Sequence, residues 1–221
     1  EFLQKKVMKK IQKTLLAIAA IFGAVTSANA ISYTASSDGA TNPAGTFSAN
    51  GDSLVVATEY GFTYLGITGG DGGSEIGLNE KLTINLREQM TVFSITIGLL
   101  YDGPEFGDDG EIAAFLKNDA GSAFTLTATG ATTATWSGFA GATVQNLSPA
   151  SGGGNGGVWK VTNPFGTGAL TSLGVYPLTS GNGASNESDF GLIAFEVPDS
   201  GSTLGLLGLS LIGLAFIRRK R

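Results

Sequence analysis

The residues best suited to chemistry form an acidic run in the middle of the chain. Carboxylates occur at Asp102, Glu105, Asp108, Asp109 and Glu111, separated mainly by glycine, proline and phenylalanine. Ca²⁺ takes about six to eight oxygen ligands from carboxylates and backbone carbonyls, at flexible spacing. Asp102, Glu105, Asp108 and Asp109 are therefore a candidate Ca²⁺ site, although the register of an EF-hand loop is missing. The favoured interpretation is a solvated acidic turn that holds no ion.

Further acidic residues are scattered along the chain and could supply the carboxylate pair of a glycoside hydrolase. They are Glu59, Glu75, Glu80 and Asp189. Such a pair requires a separation of ~5–10 Å, which spacing along the sequence does not establish. Scattered acids are also ordinary on a protein surface. We therefore predict no catalytic residue and expect the protein not to be an enzyme.

Three aromatic residues, Trp136, Trp159 and Tyr176, could form a platform that stacks against sugar rings. Each lies within a strand-like run, so packing in a core or between sheets is the favoured role. A glycine-rich run at residues 66–73 is not a phosphate loop, because no Gly-Lys-Ser/Thr follows it and no helical pattern begins there.

Composition excludes several classes of function. The chain has no cysteine and no histidine, which removes Ser-His-Asp and Cys-His triads and zinc sites based on those ligands. Residues 31–197 contain four basic and sixteen acidic side chains, a net charge of −12. We expect no nucleic-acid partner, because phosphate binding requires a cationic surface. Divalent cations and neutral or cation-bridged polysaccharides are compatible with this charge.

Strand patterns fill the central part of the chain. Short β-branched and aromatic runs alternate with Gly, Asn and Asp clusters over residues 31–196, the pattern of a sandwich. The predicted strands are near Thr46–Ala49, Ser53–Thr58, Phe62–Thr68, Lys81–Leu86, Thr91–Tyr101, Ile112–Lys117, Ala123–Thr129, Thr135–Phe139, Ala142–Asn146, Gly157–Asn163, Thr171–Tyr176 and Asp189–Val197. We predict an all-β domain, a single antiparallel β-sandwich of jelly-roll type.

One pair of these strands is predicted to form a hairpin. The strand at Lys81–Leu86 and the strand that starts at Thr91 both alternate apolar and polar residues. Arg87–Met90 lies between them and is mostly polar. A short polar connection between alternating strands favours antiparallel pairing of the two.

The last 25 residues, 197–221, have a separate organisation. They begin with Val197, Pro198, Asp199, Ser200 and Gly201, continue as an uncharged apolar run from Leu204 to Ile217, and end in Arg218, Arg219, Lys220 and Arg221. At ~1.5 Å per residue the apolar run spans ~21 Å, less than the ~30 Å hydrocarbon core of a bilayer. We predict a marginal membrane helix, whose apolar residues include Leu204, Leu207, Leu211, Phe216 and Ile217, with the four cations on the cytoplasmic side. The alternative is a buried C-terminal helix.

The order of motif, apolar helix and cations resembles the PEP-CTERM sorting signal of bacterial exported proteins, in its VPDSG variant. This chain has Pro198-Asp199-Ser200 where the commoner form has Pro-Glu-Pro. The resemblance implies recognition by an exosortase, a multi-pass membrane enzyme that resembles a transpeptidase. This enzyme would cut near the motif, discard the helix and release or transfer the rest of the protein. The resemblance also implies an association with exopolysaccharide production and biofilm.

Residues 1–30 predict a signal peptide. A lysine-rich start is followed by an apolar segment, Leu15–Val25, and then by Ala28-Asn29-Ala30, the small-residue pattern of a cleavage site. We predict cleavage after Ala30. Residues 1–7 are interpreted as an upstream over-read, because Met8 followed by two lysines is a better start. The alternative is an N-terminal membrane anchor.

These features predict an exported, non-enzymatic protein that passes through an inner-membrane intermediate to the cell surface or extracellular matrix. Its expected partners are an exosortase-type enzyme, the inner membrane and extracellular polysaccharide. The alternative is a carbohydrate-binding module or a carboxylate-dependent carbohydrate-active enzyme that uses Ca²⁺. A permanently anchored membrane protein is a third hypothesis, which predicts that the mature chain keeps its basic end.

Overall fold

A computed structural model describes residues 30–34, 45–50, 53–69, 73–102, 110–148, 157–179 and 188–198. Residues 31–197 form one compact unit. The regular elements in the described ranges are all β-strands, and none of these ranges contains a helix able to cross a membrane. The predicted membrane helix, the basic end and the signal-peptide segment before Ala30 lie outside the described residues.

The described chain forms thirteen strands. They are β1 (Ala30–Thr34), β2 (Gly45–Ala49), β3 (Ser53–Glu59), β4 (Phe62–Thr68), β5 (Leu82–Met90), β6 (Ser94–Gly98), β7 (Ile112–Lys117), β8 (Phe124–Gly130), β9 (Thr133–Ser137), β10 (Thr143–Asn146), β11 (Trp159–Thr162), β12 (Leu170–Leu178) and β13 (Gly191–Pro198). The strands predicted from alternation are found within a few residues of these bounds.

The strands form two sheets around one apolar core. Sheet A has the order β10-β11-β6-β13-β4-β3, with β1 also paired to β13, and sheet B has the order β2-β5-β12-β7-β8-β9. Four strands of each sheet, β4-β13-β6-β11 and β5-β12-β7-β8, have the interleaved order of a jelly roll, in which the chain passes repeatedly between the sheets. The predicted all-β jelly-roll sandwich is therefore confirmed.

The core follows from the alternation of apolar residues. In β5, Leu82, Ile84 and Leu86 are buried and the intervening side chains face outward, as expected for a strand with one face on the core. Strand β6 differs because all its residues are buried. It lies between β11 and β13 in sheet A, and its outward residues Ser94 and Thr96 are also covered.

The predicted hairpin between β5 and β6 is wrong. Strand β5 continues through the polar residues to Met90, which pairs with Leu170 of β12 in sheet B. Strand β6 begins at Ser94 in the opposite sheet. Between them, Val92 is fully buried, because the chain crosses the core edge from one sheet to the other instead of turning back in solvent.

Strand β1 was not predicted. It pairs with β13 and is held by Tyr33, which is fully buried and stacks on Phe47 with ring centroids 4.3 Å apart. The signal in the sequence was the alternation of apolar and hydroxyl residues over Ile31–Thr34. Its position next to the predicted signal-peptide cleavage site obscured it.

Candidate functional site

Glu111 links the two flanks of the acidic run by hydrogen bonds to Tyr101. This residue is fully buried, and its Oε2 accepts a hydrogen bond from the backbone N–H of Tyr101. The N–H of Glu111 donates in turn to the carbonyl of Tyr101 at 3.1 Å, and its own carbonyl accepts from Ala128 at 3.0 Å. Glu111 therefore closes the base of the acidic segment from inside the fold.

The candidate Ca²⁺ site stays a hypothesis. Asp102 is half-buried at the start of the segment, whereas Glu105, Asp108 and Asp109 lie outside the described residues. Within the described ranges, no group of three or more carboxylates is arranged to hold a metal ion.

Three of the four scattered acids, Glu59, Glu75 and Asp189, raise the pKa of the same tyrosine, Tyr64. Burial raises the pKa of Tyr64, its 2.9 Å hydrogen bond with Ser74 partly offsets this, and the charges of Glu75, Glu59 and Asp189 raise the pKa further. The pKa of Tyr101 is raised in a similar way, chiefly by burial. Both phenols are therefore protonated at neutral pH, within a neighbourhood of carboxylates.

Two of the three candidate sugar-stacking residues are used for packing, as the sequence favours. Trp159 is 2 % exposed, and its Nε1 donates to the carbonyl of Leu100 at 2.8 Å. Trp136 is half-buried; its ring centroid lies 5.2 Å from that of Phe115 and 6.1 Å from that of Phe165, and its Nε1 donates to the carbonyl of Pro164 at 3.2 Å. These indole rings support the sandwich.

Tyr176 lies in a different environment. It is half-buried on the outward side of β12, between the core-facing residues Val175 and Pro177, and it borders a shallow groove of about 450 Å³ on the outer face of sheet B. Residues 78–81, Leu116 and residues 176–179 line this groove. We refer to it as the sheet B groove.

The wall of the sheet B groove is fixed by hydrogen bonds and one ion pair. Asn50 donates from its side chain to the carbonyl of Asn79 at 3.1 Å and accepts from the N–H of Lys81 at 2.5 Å. The Lys81 Nζ atom lies 2.5 Å from Asp119 Oδ1. This pair passes close over Gly174: a Cβ atom there would lie 2.7 Å from Lys81 Cε, so the end of the lysine side chain would have to shift.

Glu80 is the unusual residue of the groove. It is 5 % exposed, and its Oε2 accepts a hydrogen bond from the N–H of Gly77 at 2.7 Å. Its Oε1 is buried and has no hydrogen-bond partner. A buried acceptor without a donor costs about 1–3 kcal/mol, and more when it is charged. The sequence identified Glu80 only as one of several scattered acids, because burial of a single carboxylate leaves no local pattern.

Small hydroxyl residues flank the groove on both sides. Thr125 pairs with Ser137 and Thr127 pairs with Thr135 across β8 and β9, and Ser48 pairs with Thr83 across β2 and β5. These side chains are exposed or half-buried. The face around the groove therefore offers many neutral hydrogen-bonding groups.

The predicted sorting motif begins inside the folded sandwich. Val197 is fully buried and belongs to the apolar core, and Pro198 is the last residue of β13. Asp199, Ser200 and Gly201 lie outside the described residues. The predicted signal-cleavage residues also remain untested; Ala28 is not described, and Ala30 is the first residue of β1.

Glu196, next to Val197, is held on the outer face of sheet A. Its carboxylate accepts from Ser94 Oγ at 2.6 Å and from Lys160 Nζ at 3.0 Å. Partial burial acts to raise the pKa of Glu196, but the hydrogen bonds from Ser94 and Lys160 and the charge of Lys160 together lower it. The carbonyl of Glu196 also accepts from the N–H of Phe93 at 2.8 Å.

Comparison with known proteins identifies the C-terminal segment. Residues 196–221 match the family model of the VPDSG-CTERM motif. Neither the curated proteins nor the solved structures gave a match to this chain. The resemblance predicted from the motif, the apolar run and the basic end is therefore confirmed. Residues 196–221 are a C-terminal sorting domain of the PEP-CTERM type, in its VPDSG-CTERM form, and the chain is an exported protein sorted by this signal.

Proposed function

We propose that the protein is a non-enzymatic component of the cell surface or extracellular matrix. In this proposal, an exosortase-type membrane enzyme processes residues 196–221, and the released sandwich associates with exopolysaccharide. The observation that carries the proposal is the VPDSG-CTERM match, in which motif, apolar run and cations follow one another at the end of the chain.

Two features support a role without catalysis. The chain has no cysteine and no histidine, which leaves carboxylates, lysines and tyrosines as its groups for acid–base chemistry, and none of these has an ordinary pKa near 7. Burial raises the pKa values of Tyr64 and Tyr101, which makes both phenols weaker acids than an exposed tyrosine. The sheet B groove, which contains the buried acid Glu80, is shallow and open.

The experiment compares the native host with a strain that lacks its exosortase. Intact-mass measurement of the protein from each cell fraction is the readout. In the native host we expect a chain without Arg218–Arg221 in the surface or extracellular fraction. In the deletion strain we expect a chain that keeps these residues in the membrane fraction. A mature protein that keeps Arg218–Arg221 in the native host would contradict the proposal.

Glycan binding by the sandwich is a second candidate function, favoured by the sheet B groove. A sugar hydroxyl would supply the donor that Glu80 Oε1 lacks. The half-buried ring of Tyr176 offers an apolar surface next to a polar hydroxyl. The acidic sandwich and the neutral hydroxyl face favour an uncharged polysaccharide over an anionic one.

Affinity electrophoresis tests this second function. The full chain in mild detergent is run through gels containing galactomannan, xyloglucan or dextran, with alginate as the anionic control. We expect retardation by at least one neutral polysaccharide and a loss of affinity of about tenfold in Tyr176→Ala, the scale of an aromatic contact. Tyr60→Ala is the matched control, because Tyr60 is 50 % exposed at the turn between β3 and β4 of sheet A, whereas the groove is on sheet B. Equal effects of the two substitutions, or no retardation, would reject glycan binding at the groove.

A further inference from the structure

We propose that the folded sandwich sets the N-terminal limit of the C-terminal cut, so that the broken bond lies on the C-terminal side of Pro198. The inference rests on the proposed processing and adds the position of the peptide bond that is cut. The mature protein then keeps the whole of β13, including the first two residues of the sorting motif.

Strand β13 has partners on both edges within sheet A. It pairs along one edge with β6, from Gly191 opposite Gly98 to Glu196 opposite Ser94, and on the other edge with β4 at Leu192 opposite Leu65 and with β1. A protease must bind the backbone before and after the bond that it cuts. In a strand that is paired on both edges, the backbone groups are already hydrogen-bonded to neighbouring strands and are not accessible. Cleavage within such a strand therefore requires local unfolding, and its rate follows the small population of the opened form.

The end of β13 is also buried. Phe195 and Val197 are fully buried in the core. Exposing a side chain the size of valine reduces the population of the opened form about tenfold or more. Glu196 adds its contacts to Ser94 and Lys160. The end of the strand is thus held on both of its faces up to Val197.

Strand β1 is the partner of β13 near the other end of the body. Four of its five residues, Ile31–Thr34, follow the predicted signal-peptide cleavage site after Ala30, and Tyr33 anchors the strand in the core against Phe47. Strand β1 pairs with the strand that leads into the sorting motif. Strand β1 therefore helps to cover one edge of β13. In this proposal, the N-terminal limit of the cut is set once the exported body has folded.

The reaction is an acyl transfer. The peptide bond after Pro198, or one further along, breaks, and its carbonyl carbon passes to water or to an amine. The nucleophile loses a proton, and the amino group of the departing C-terminal segment gains one. Water gives a free carboxyl terminus, whereas an amine gives a new amide.

Intact-mass measurement of the processed protein from the native host shows at which residue the chain ends and so tests the position of the cut. We expect the C-terminus at Pro198 or at a later residue. A C-terminus at Val197 or earlier would overturn the inference while leaving the proposed processing intact. A chain with no cut at all would overturn the proposed function, and the inference with it.

Limited proteolysis of the full chain in mild detergent, with a protease of low specificity, tests the mechanism. We expect the wild-type protein to be protected through Val197. Tyr33→Ala should increase cleavage within residues 191–197 about tenfold, since it removes the anchor of β1. Tyr60→Ala should leave that cleavage unchanged.

Val197→Ala is a milder second variant, in case Tyr33→Ala does not fold. It should also increase cleavage within residues 191–197, by a smaller factor. The same substitution at Val56, which is 45 % exposed, should have no effect. Cleavage within β13 of the wild-type protein, or no difference between the core variants and their controls, would overturn the inference.

Discussion

Among the described residues, one ion pair lies on the outer face of sheet A and one on the outer face of sheet B, and their surroundings differ. On sheet A, Glu196 accepts from both Ser94 and Lys160, and the side chains of Lys160 and Glu196 are 28 % and 27 % exposed. On sheet B, Lys81 and Asp119 are 31 % and 45 % exposed, beside an open groove. The pair on sheet A has a third hydrogen-bonding partner, the Ser94 hydroxyl, whereas Glu80, which lines the groove beside the pair on sheet B, keeps a buried oxygen without a hydrogen bond.

This difference suggests a division of work within one sandwich. Sheet A contains both β1 and β13, the first and last of the described strands, so it includes both of the ends at which we propose processing. Sheet B contains neither strand, and its outer face carries the groove for which we propose a glycan. Stability measurements on matched variants can test whether the two sheets differ in this way.

The largest expected loss of stability follows substitution of the two tryptophans. Trp159→Ala, in sheet A, should lower the free energy of unfolding by about 3–5 kcal/mol, because the indole is almost fully buried. Trp136→Ala, in the edge strand β9 of sheet B, should cost less, because Trp136 is only half-buried. Urea denaturation of both variants measures this, and a larger loss at Trp136 would break the comparison.

A smaller effect is expected at two valines of sheet A. Val197→Ala should cost about 1–3 kcal/mol, since it leaves a cavity at the end of β13. Val56→Ala, in the edge strand β3, should change stability by less than about 0.5 kcal/mol, because Val56 is exposed. Equal losses, measured by thermal and urea denaturation, would show that β13 is not closed at its end.

The smallest effect concerns the two ion pairs and depends on pH. Glu196→Gln should cost about 1 kcal/mol at pH 7, since hydrogen bonds to the charged carboxylate are weakened. The folded-state pKa of Glu196 is lowered, so its contribution is present above the unfolded pKa of about 4.3 and is lost as the pH falls through the folded value. The difference between wild type and Glu196→Gln should therefore shrink between pH 5 and strongly acidic conditions.

Asp119→Asn is the control on sheet B. Because the Lys81–Asp119 pair is more exposed, its loss should cost less than about 0.5 kcal/mol and should depend on salt. Urea denaturation at several pH values measures both variants. A cost at Asp119 as large as that at Glu196 would contradict the proposed difference between the faces.

The strands could be predicted from the sequence because alternation is a local property. Leu82, Ile84 and Leu86 show it clearly, and their burial follows. The partner of a strand is not local: the short polar connection after Leu86 favoured a hairpin, but burial of Met90 and Val92 is better satisfied by crossing to the other sheet. The pairing of β1 with β13 joins opposite ends of the body and has no local signal.

The candidate sites show the same contrast. The sorting motif could be predicted because it is a linear pattern in which Val197–Gly201 precede an apolar run and a basic end. The sheet B groove depends on residues far apart in the sequence, Glu80 and Tyr176 among them. Their types allowed a hypothesis about sugars, but only the fold shows that they line one groove.

The intact mass of the protein recovered from the surface or extracellular fraction of its native host tests the proposed processing most directly. We predict a chain that begins at Ile31, ends at Pro198 or a later residue, and lacks Arg218–Arg221. A mature chain that keeps Arg218–Arg221, or one that ends at Val197 or earlier, would contradict it.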